Sequence, residues 1–182
     1  MPNDQGVLRL HAVALLSKPQ MTNGIQQSKT YPLIIAQYEL KGHPTRSESW
    51  NLVLLVSHTQ AYTFELRGNT DSFTYVSQRC STPLHRIIAY RGGCHVGNVA
   101  QGSIEELTER LREVPIVKHD ISWDSQVWVL EAIKHIKAEG FAFPHLKEVP
   151  IREELAKDMA RWEDAEDTVD ERLLNGVQKL CT

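Results

Sequence analysis

The stretch ISWDSQVWVLEAI, residues 121–133, opens what reads as a buried helix, and Asp124, Ser125 and Gln126 crowd its first turn. Backbone N–H groups are unpaired there and the helix dipole favours negative charge. A serine at that place is either a nucleophile or a helix cap. As a nucleophile it needs a positioned base, because an unassisted hydroxyl is un-ionised at neutral pH. The groups able to move a proton are Glu65, His95 and Asp124, with His58 as a further option. Trp50 and Trp123 could wall a site that gathers those three groups on one side of a sheet. Filling the core is the competing use of these two rings, and of Trp128 and Trp162.

Other chemical signals are thin. Cys94 and His95 suggest a thiol beside its base, but neighbours on a strand point to opposite faces. The glycine-rich RGGCHVG, residues 91–97, is not followed by a helix, so two glycines at a strand turn explain it better than a phosphate loop. No Walker loop, GxGxxG, HExxH or GxSxG occurs. The eight histidines show no metal-ligand spacing, and His119 beside Asp120 is too little to specify a site. Neither a metal nor another cofactor is expected.

A chain of 182 residues fits one domain and is long enough to bury a core. Its net charge of -3 argues against nucleic acid, which demands a concentrated basic surface. No run reaches the roughly 18 apolar residues of a membrane span. The apolar stretch Val7 to Leu16 is broken by Arg9 and His11, which speaks against a secretion signal. Cys80, Cys94 and Cys181 are an odd number without a CxxC pair. The expectation is a soluble, reduced, cytoplasmic protein with no nucleic-acid or membrane partner.

The elements that must position the chemistry change character near residue 102. Before it, apolar runs between turn residues predict strands over 7–16, 33–40, 49–57, 61–68, 72–78, 86–93 and 94–102. The nearly continuous run 49–57 reads as a central strand covered on both faces, and GNTD makes 61–68 and 72–78 a hairpin. After Gly102 the period is helical. Ser103 and Glu106 form a capping-box pattern ahead of Ile104, Leu107, Leu111 and Val114, and Pro115 ends that helix. A second helix spans 125–139, with Gly140 as its stop. Ile151, Leu155, Met159 and Trp162 mark an amphipathic third helix docked by one stripe. Residues 163–171 read as a solvated acidic segment and 172–180 as a last short helix.

From Tyr31 to about Gly140 the chain resembles a group of small fungal proteins that are themselves similar to the permuted, NlpC-type papain-like fold. The resemblance is carried by SWNLVLL (49–55), AYTFEL (61–66), VGNVAQGSIEELTERLREVPI (96–116) and DSQVWVLEAI (124–133). The last two weigh most, because capping box, proline stop and Trp-Val helix fall in order. The resemblance implies a strand bearing a catalytic His and a later helix bearing a Cys. It puts Ser49 at the His position, Ser125 at the Cys position and Thr63 at a second polar position often held by His. Three hydroxyls thus stand where a thiol–imidazole system would be, and the base worth about 10²- to 10⁴-fold is missing. Papain-like hydrolysis is not expected, and Ser125 reads as a cap in an inherited cleft.

The combined expectation is an α+β fold with an antiparallel sheet over 7–101 and the capped 125–139 helix packed on it, in a permuted papain-like architecture. Residues 1–145 form the domain, and 146–182 add an amphipathic helix and acidic tail. Function divides three ways. A small-molecule site would use Glu65, His95 and Asp124 for acid–base work and Ser49, Trp50, Thr63, Trp123 and Ser125 for binding, as a cofactor-independent isomerase or cyclase of fungal biosynthesis. A non-catalytic module would instead offer the 151–162 helix to a protein partner. A hydrolase would need a relocated dyad, Cys94 with His95 or His85.

Overall fold

The structure, a computed structural model, describes residues 29–42, 46–165 and 167–179. The expected strand over 7–16 lies outside the described residues. Five strands follow: β1 (Thr30–Glu39), β2 (Glu48–Ser57), β3 (Gln60–Arg67), β4 (Thr74–Cys80) and β5 (Tyr90–Ala100). Every neighbouring pair is antiparallel, in the order β4-β3-β2-β1-β5. The first four strands form a meander. The chain then passes a 3-10 turn at Leu84–Arg86 and returns to pair β5 with β1.

Residues 86–93 and 94–102, which read as two strands, are therefore largely one. The glycine pair between them lies inside β5 because another part of the chain comes close there. A Cβ on Gly92, whose φ is +89°, would lie 2.6 Å from an Asp158 carboxylate oxygen. One on Gly93 would lie 2.4 Å from the Ile35 carbonyl oxygen.

Alternation along the strands builds two cores. Leu33, Ile35, Trp50, Leu52, Leu54 and Phe64 face one side and form the main core with Leu107, Leu111, Trp128, Val129, Ile133 and Ile136. Ile34, Ala36, Val53, Leu55 and Ala61 face the other side and meet Leu84, Tyr90 and Val169. β2 is apolar throughout its middle because it is covered on both faces.

The helices are α1 (Ile104–Arg112), α2 (Ser125–Lys137), α3 (Glu148–Ala165) and α4 (Val169–Lys179). The capping box expected at Ser103 does not form. A 3-10 turn over Gln101–Ser103 leads into α1 and holds Ser103 at φ -105°, ψ 11°, away from the extended geometry a cap requires, and its side chain makes no cap hydrogen bond. At α2 the cap is Asp124 and not Ser125. Asp124 is extended, and its Oδ1 accepts from the N–H groups of Gln126 at 2.9 Å and Val127 at 3.1 Å. The helix ends in a Schellman turn: Phe141 N–H donates to Ile136 O, Gly140 N–H to Lys137 O, and Gly140 takes φ +79°.

α3 docks by its stripe, with Ile151 and Leu155 buried in the main core. Its Asp158 is fully buried and accepts from Gly93 N–H at 2.7 Å and Val169 N–H at 3.2 Å, while Arg172 pairs with its other oxygen. The 163–171 segment is not simply solvated. Thr168, Val169 and Asp170 are buried, and Tyr90 O–H donates to Asp170 at 2.8 Å. Of the carboxyls that looked like a charged tail, Asp170 ties α4 to the sheet. Among the described residues no helix is long and apolar enough to cross a membrane.

Candidate functional site

On the second face of the sheet the apolar positions give way toward one end. Past Val53 on β2 and Ala61 on β3, the outward residues become Asn51 and Ser49, then Thr63 and Glu65. Leu84 and α4 cover the apolar half, and over the polar half lies a cavity of about 610 Å³. Ser49, Asn51, Thr63, Glu65 and Gln78 make its floor, and Tyr38, Leu40, Phe73 and Ile87 supply apolar walls. Asp124 and Ser125 reach it from the N-terminus of α2.

Glu65 is the best-held ionisable group there. Its side chain is 17% exposed, Asn51 Nδ2 donates to Oε2 at 2.9 Å, and Arg67 Nε donates to Oε1 at 2.7 Å. Arg67 also donates to Gln78 Oε1 at 2.9 Å. The carboxylate is thereby fixed in orientation, yet Oε2, with one donor, keeps a lone pair for a further one. Beside it, the Thr63 hydroxyl lies 3.8 Å from Cys80 Sγ, and Gln78 Nε2 donates to the same sulfur at 3.7 Å. Burial, first, and then the Glu65 carboxylate with Cys80 and Asp170 push the Tyr38 phenol well above its ordinary pKa.

Ser125 touches the strand that carries Ser49. Trp50 N–H donates to Ser125 Oγ at 3.2 Å, and Arg46 Nε donates to Asp124 Oδ2 at 2.7 Å. Among the described residues lining the cavity there is no histidine to deprotonate this serine.

Five of the eight expected site residues thus surround one cavity: Ser49, Thr63, Glu65, Asp124 and Ser125. The other three lie elsewhere. Trp50 points to the main core, 3% exposed, under the Arg152 guanidinium at 4.8 Å, and borders a smaller hollow of about 240 Å³. Trp123 backs the cavity wall, its ring edge-on to Phe73 at 5.7 Å. His95 stands on β5, separated from β3 by β1 and β2, with its ring edge-on to Phe143 at 5.0 Å and Nε2 2.8 Å from Gly97 O. It is displaced because β5 pairs with β1 and not with the hairpin.

The relocated dyads fail on geometry. Cys94 is in the main core, and burial, with Glu154 and Asp158, pushes its thiol up to about 12, far from thiolate at neutral pH. His85 sits 3.6 Å from Glu171, and His58 lies in the β2–β3 turn, at the other end of β2 from Ser49. Among the described residues no group of three or more His, Cys, Asp or Glu side chains could hold a metal ion.

Tyr38, Asn51, Gln78 and Cys80 were not singled out by the sequence. Period-two alternation could have found Asn51 and Gln78, since they share a face with Ser49, Thr63 and Glu65. The same alternation along β1, through Ile34 and Ala36, places Tyr38 on that face opposite Ser49. No protein-family model, curated protein or solved structure matches this chain, and what the cavity does rests on its own geometry.

Proposed function

We propose that the cavity binds a small organic molecule and rearranges it by proton transfer, as a cofactor-independent isomerase or cyclase, with Glu65 as the acid–base group. One observation carries this reading: a largely buried carboxylate is fixed on both oxygens by Asn51 and Arg67 in the floor of a ligand-sized cavity. Ser49, Thr63 and Ser125 supply hydroxyls that orient the ligand, and no covalent intermediate is needed. The resemblance to fungal proteins with a degenerate papain-like cleft is compatible, since the three positions that lack its Cys and His gather at this cavity. A role in fungal biosynthesis is part of the same reading. The alternative, a protein partner at 151–162, has less support because Ile151 and Leu155 are committed to the core.

The test is a thermal-shift screen of neutral, oxygenated ring compounds against the wild-type chain and Thr63→Phe, which fills the floor. Stabilising compounds should lose their effect in Thr63→Phe. Compounds that bind both chains equally would place binding elsewhere and end this reading.

A further inference from the structure

The cavity holds a second proton-bearing group across from Glu65. Tyr38 lies on β1 opposite Ser49 of β2, and Glu65 lies on β3 beside Asn51. The two side chains line the same cavity from strands two places apart and two residues out of step, about 12 Å in the sheet plane by ordinary strand spacing and rise. A single ring with an exocyclic oxygen fills such a gap. The Tyr38 ring packs against Tyr90 at 5.8 Å, and among the described residues its hydroxyl makes no hydrogen bond. The raised pKa keeps that hydroxyl protonated, so it serves as a donor and not as a base.

Charge narrows the ligand. Among the described residues lining the cavity Arg67 is the only cation, and it is engaged by Glu65 and Gln78. Among the described lining residues, a carboxylate or phosphate ligand would meet the Glu65 carboxylate with no unengaged cation beside it. An uncharged ligand whose oxygen gains negative charge only during reaction fits both Tyr38 and Glu65.

We propose that Tyr38 is a catalytic residue that donates a hydrogen bond to the carbonyl oxygen of an enolisable ketone, lactone or enone while Glu65 takes the proton from the adjacent carbon. This rests on the acid–base role of Glu65 given above. Glu65 accepts the proton, the C–H electron pair becomes a C=C bond, and the carbonyl π pair moves to oxygen as an enolate held by Tyr38 O–H. Return of the same proton to the far end of a conjugated system restores the carbonyl and the carboxylate. The product is a double-bond isomer, with no net oxidation and no co-reactant.

The probe is para-nitrophenol, whose anion mimics a flat enolate and whose colour reports its ionisation. It is titrated into Glu65→Gln, where the amide stands for the protonated carboxyl present beside an enolate. The bound anion should absorb to the blue of the anion in an aprotic solvent, as a hydrogen-bonded phenolate does. Adding Tyr38→Phe should weaken binding about 10- to 100-fold, the size of a hydrogen bond to a charged group, and abolish the colour shift. An unshifted bound anion in Glu65→Gln overturns the proposal even if the double variant fails to fold, and so does equal affinity in the two variants. The neutral para-nitroanisole separates the failures. If it binds and the phenol gains nothing over it, the enolate proposal falls and the cavity remains a ligand site. If neither binds, both readings fall.

Discussion

Asp124 and Ser125 are neighbours with different work. Asp124 caps α2 through Oδ1 and pairs with Arg46 through Oδ2, so both its oxygens are used. Ser125, one residue later, gives its oxygen to the Trp50 N–H and stitches the helix start to β2. Asp124→Ala should therefore cost about 1–2 kcal/mol, the upper part of the capping range, because the Arg46 pair goes with the cap. Ser125→Ala should cost about 0.5–1.5 kcal/mol, one ordinary hydrogen bond. Urea unfolding of the two variants checks the order, and a larger loss in Ser125→Ala would return the cap to the serine. The sequence showed that a helix begins here. Which of two adjacent polar residues takes the extended cap conformation depends on backbone angles that residue type does not dictate, since both are good caps.

At the scale of elements, the junction of α3, β5 and α4 holds the two faces of the sheet together. Asp158 of α3 accepts from a β5 amide 65 residues away and from the first amide of α4. Gly92 makes room for it, and Gly97 does the same for the connector after α2, where a Cβ would meet the Phe141 carbonyl oxygen at 2.0 Å. The glycines of RGGCHVG were visible in the sequence, but their purpose was not, because the partner segment is remote in the chain. Asp158→Ala strands two buried amides, at about 1–3 kcal/mol each, while Arg172 is part-exposed and keeps Asp167. The loss should be local at first. Limited proteolysis should cut the α3–α4 junction of this variant before any other place, whereas the wild-type chain should resist there. Cleavage that begins equally in the β3–β4 turn of both chains would show that Asp158 does not hold α4.

For the whole molecule, the sheet was legible because strand alternation and the GNTD turn are local signals, and β1 to β4 form where those signals lie. The return of β5 to β1 was not legible, since nothing in its residues names the strand it pairs with, and that pairing removed His95 from the site. The same two-faced burial sets how the fold responds to alkali. Cys94 is buried and holds its proton up to about 12, against 9.0 in an open chain, and Tyr75 holds its own up to about 12 against 10.0, again chiefly through burial. Tyr38 and Tyr90 are raised in the same direction. Below about pH 9 all four groups are protonated in both states and the stability they carry is fully present. Above it the unfolded chain gives up the Cys94 proton while the folded chain keeps it, so the unfolded state gains and stability falls as pH rises. For Cys94 alone the slope is about 1.4 kcal/mol per pH unit up to its folded value. The tyrosines steepen the fall from about pH 10. Urea midpoints measured at about pH 8, 9.5 and 11 should therefore drop progressively, and Cys94→Val should flatten the first interval, where the thiol titrates alone, and reduce the drop in the second, where the tyrosines add to it. A midpoint that holds from about pH 8 to 11 would mean that these groups reach solvent in the folded protein, and with them the floor of the cavity that Tyr38 lines.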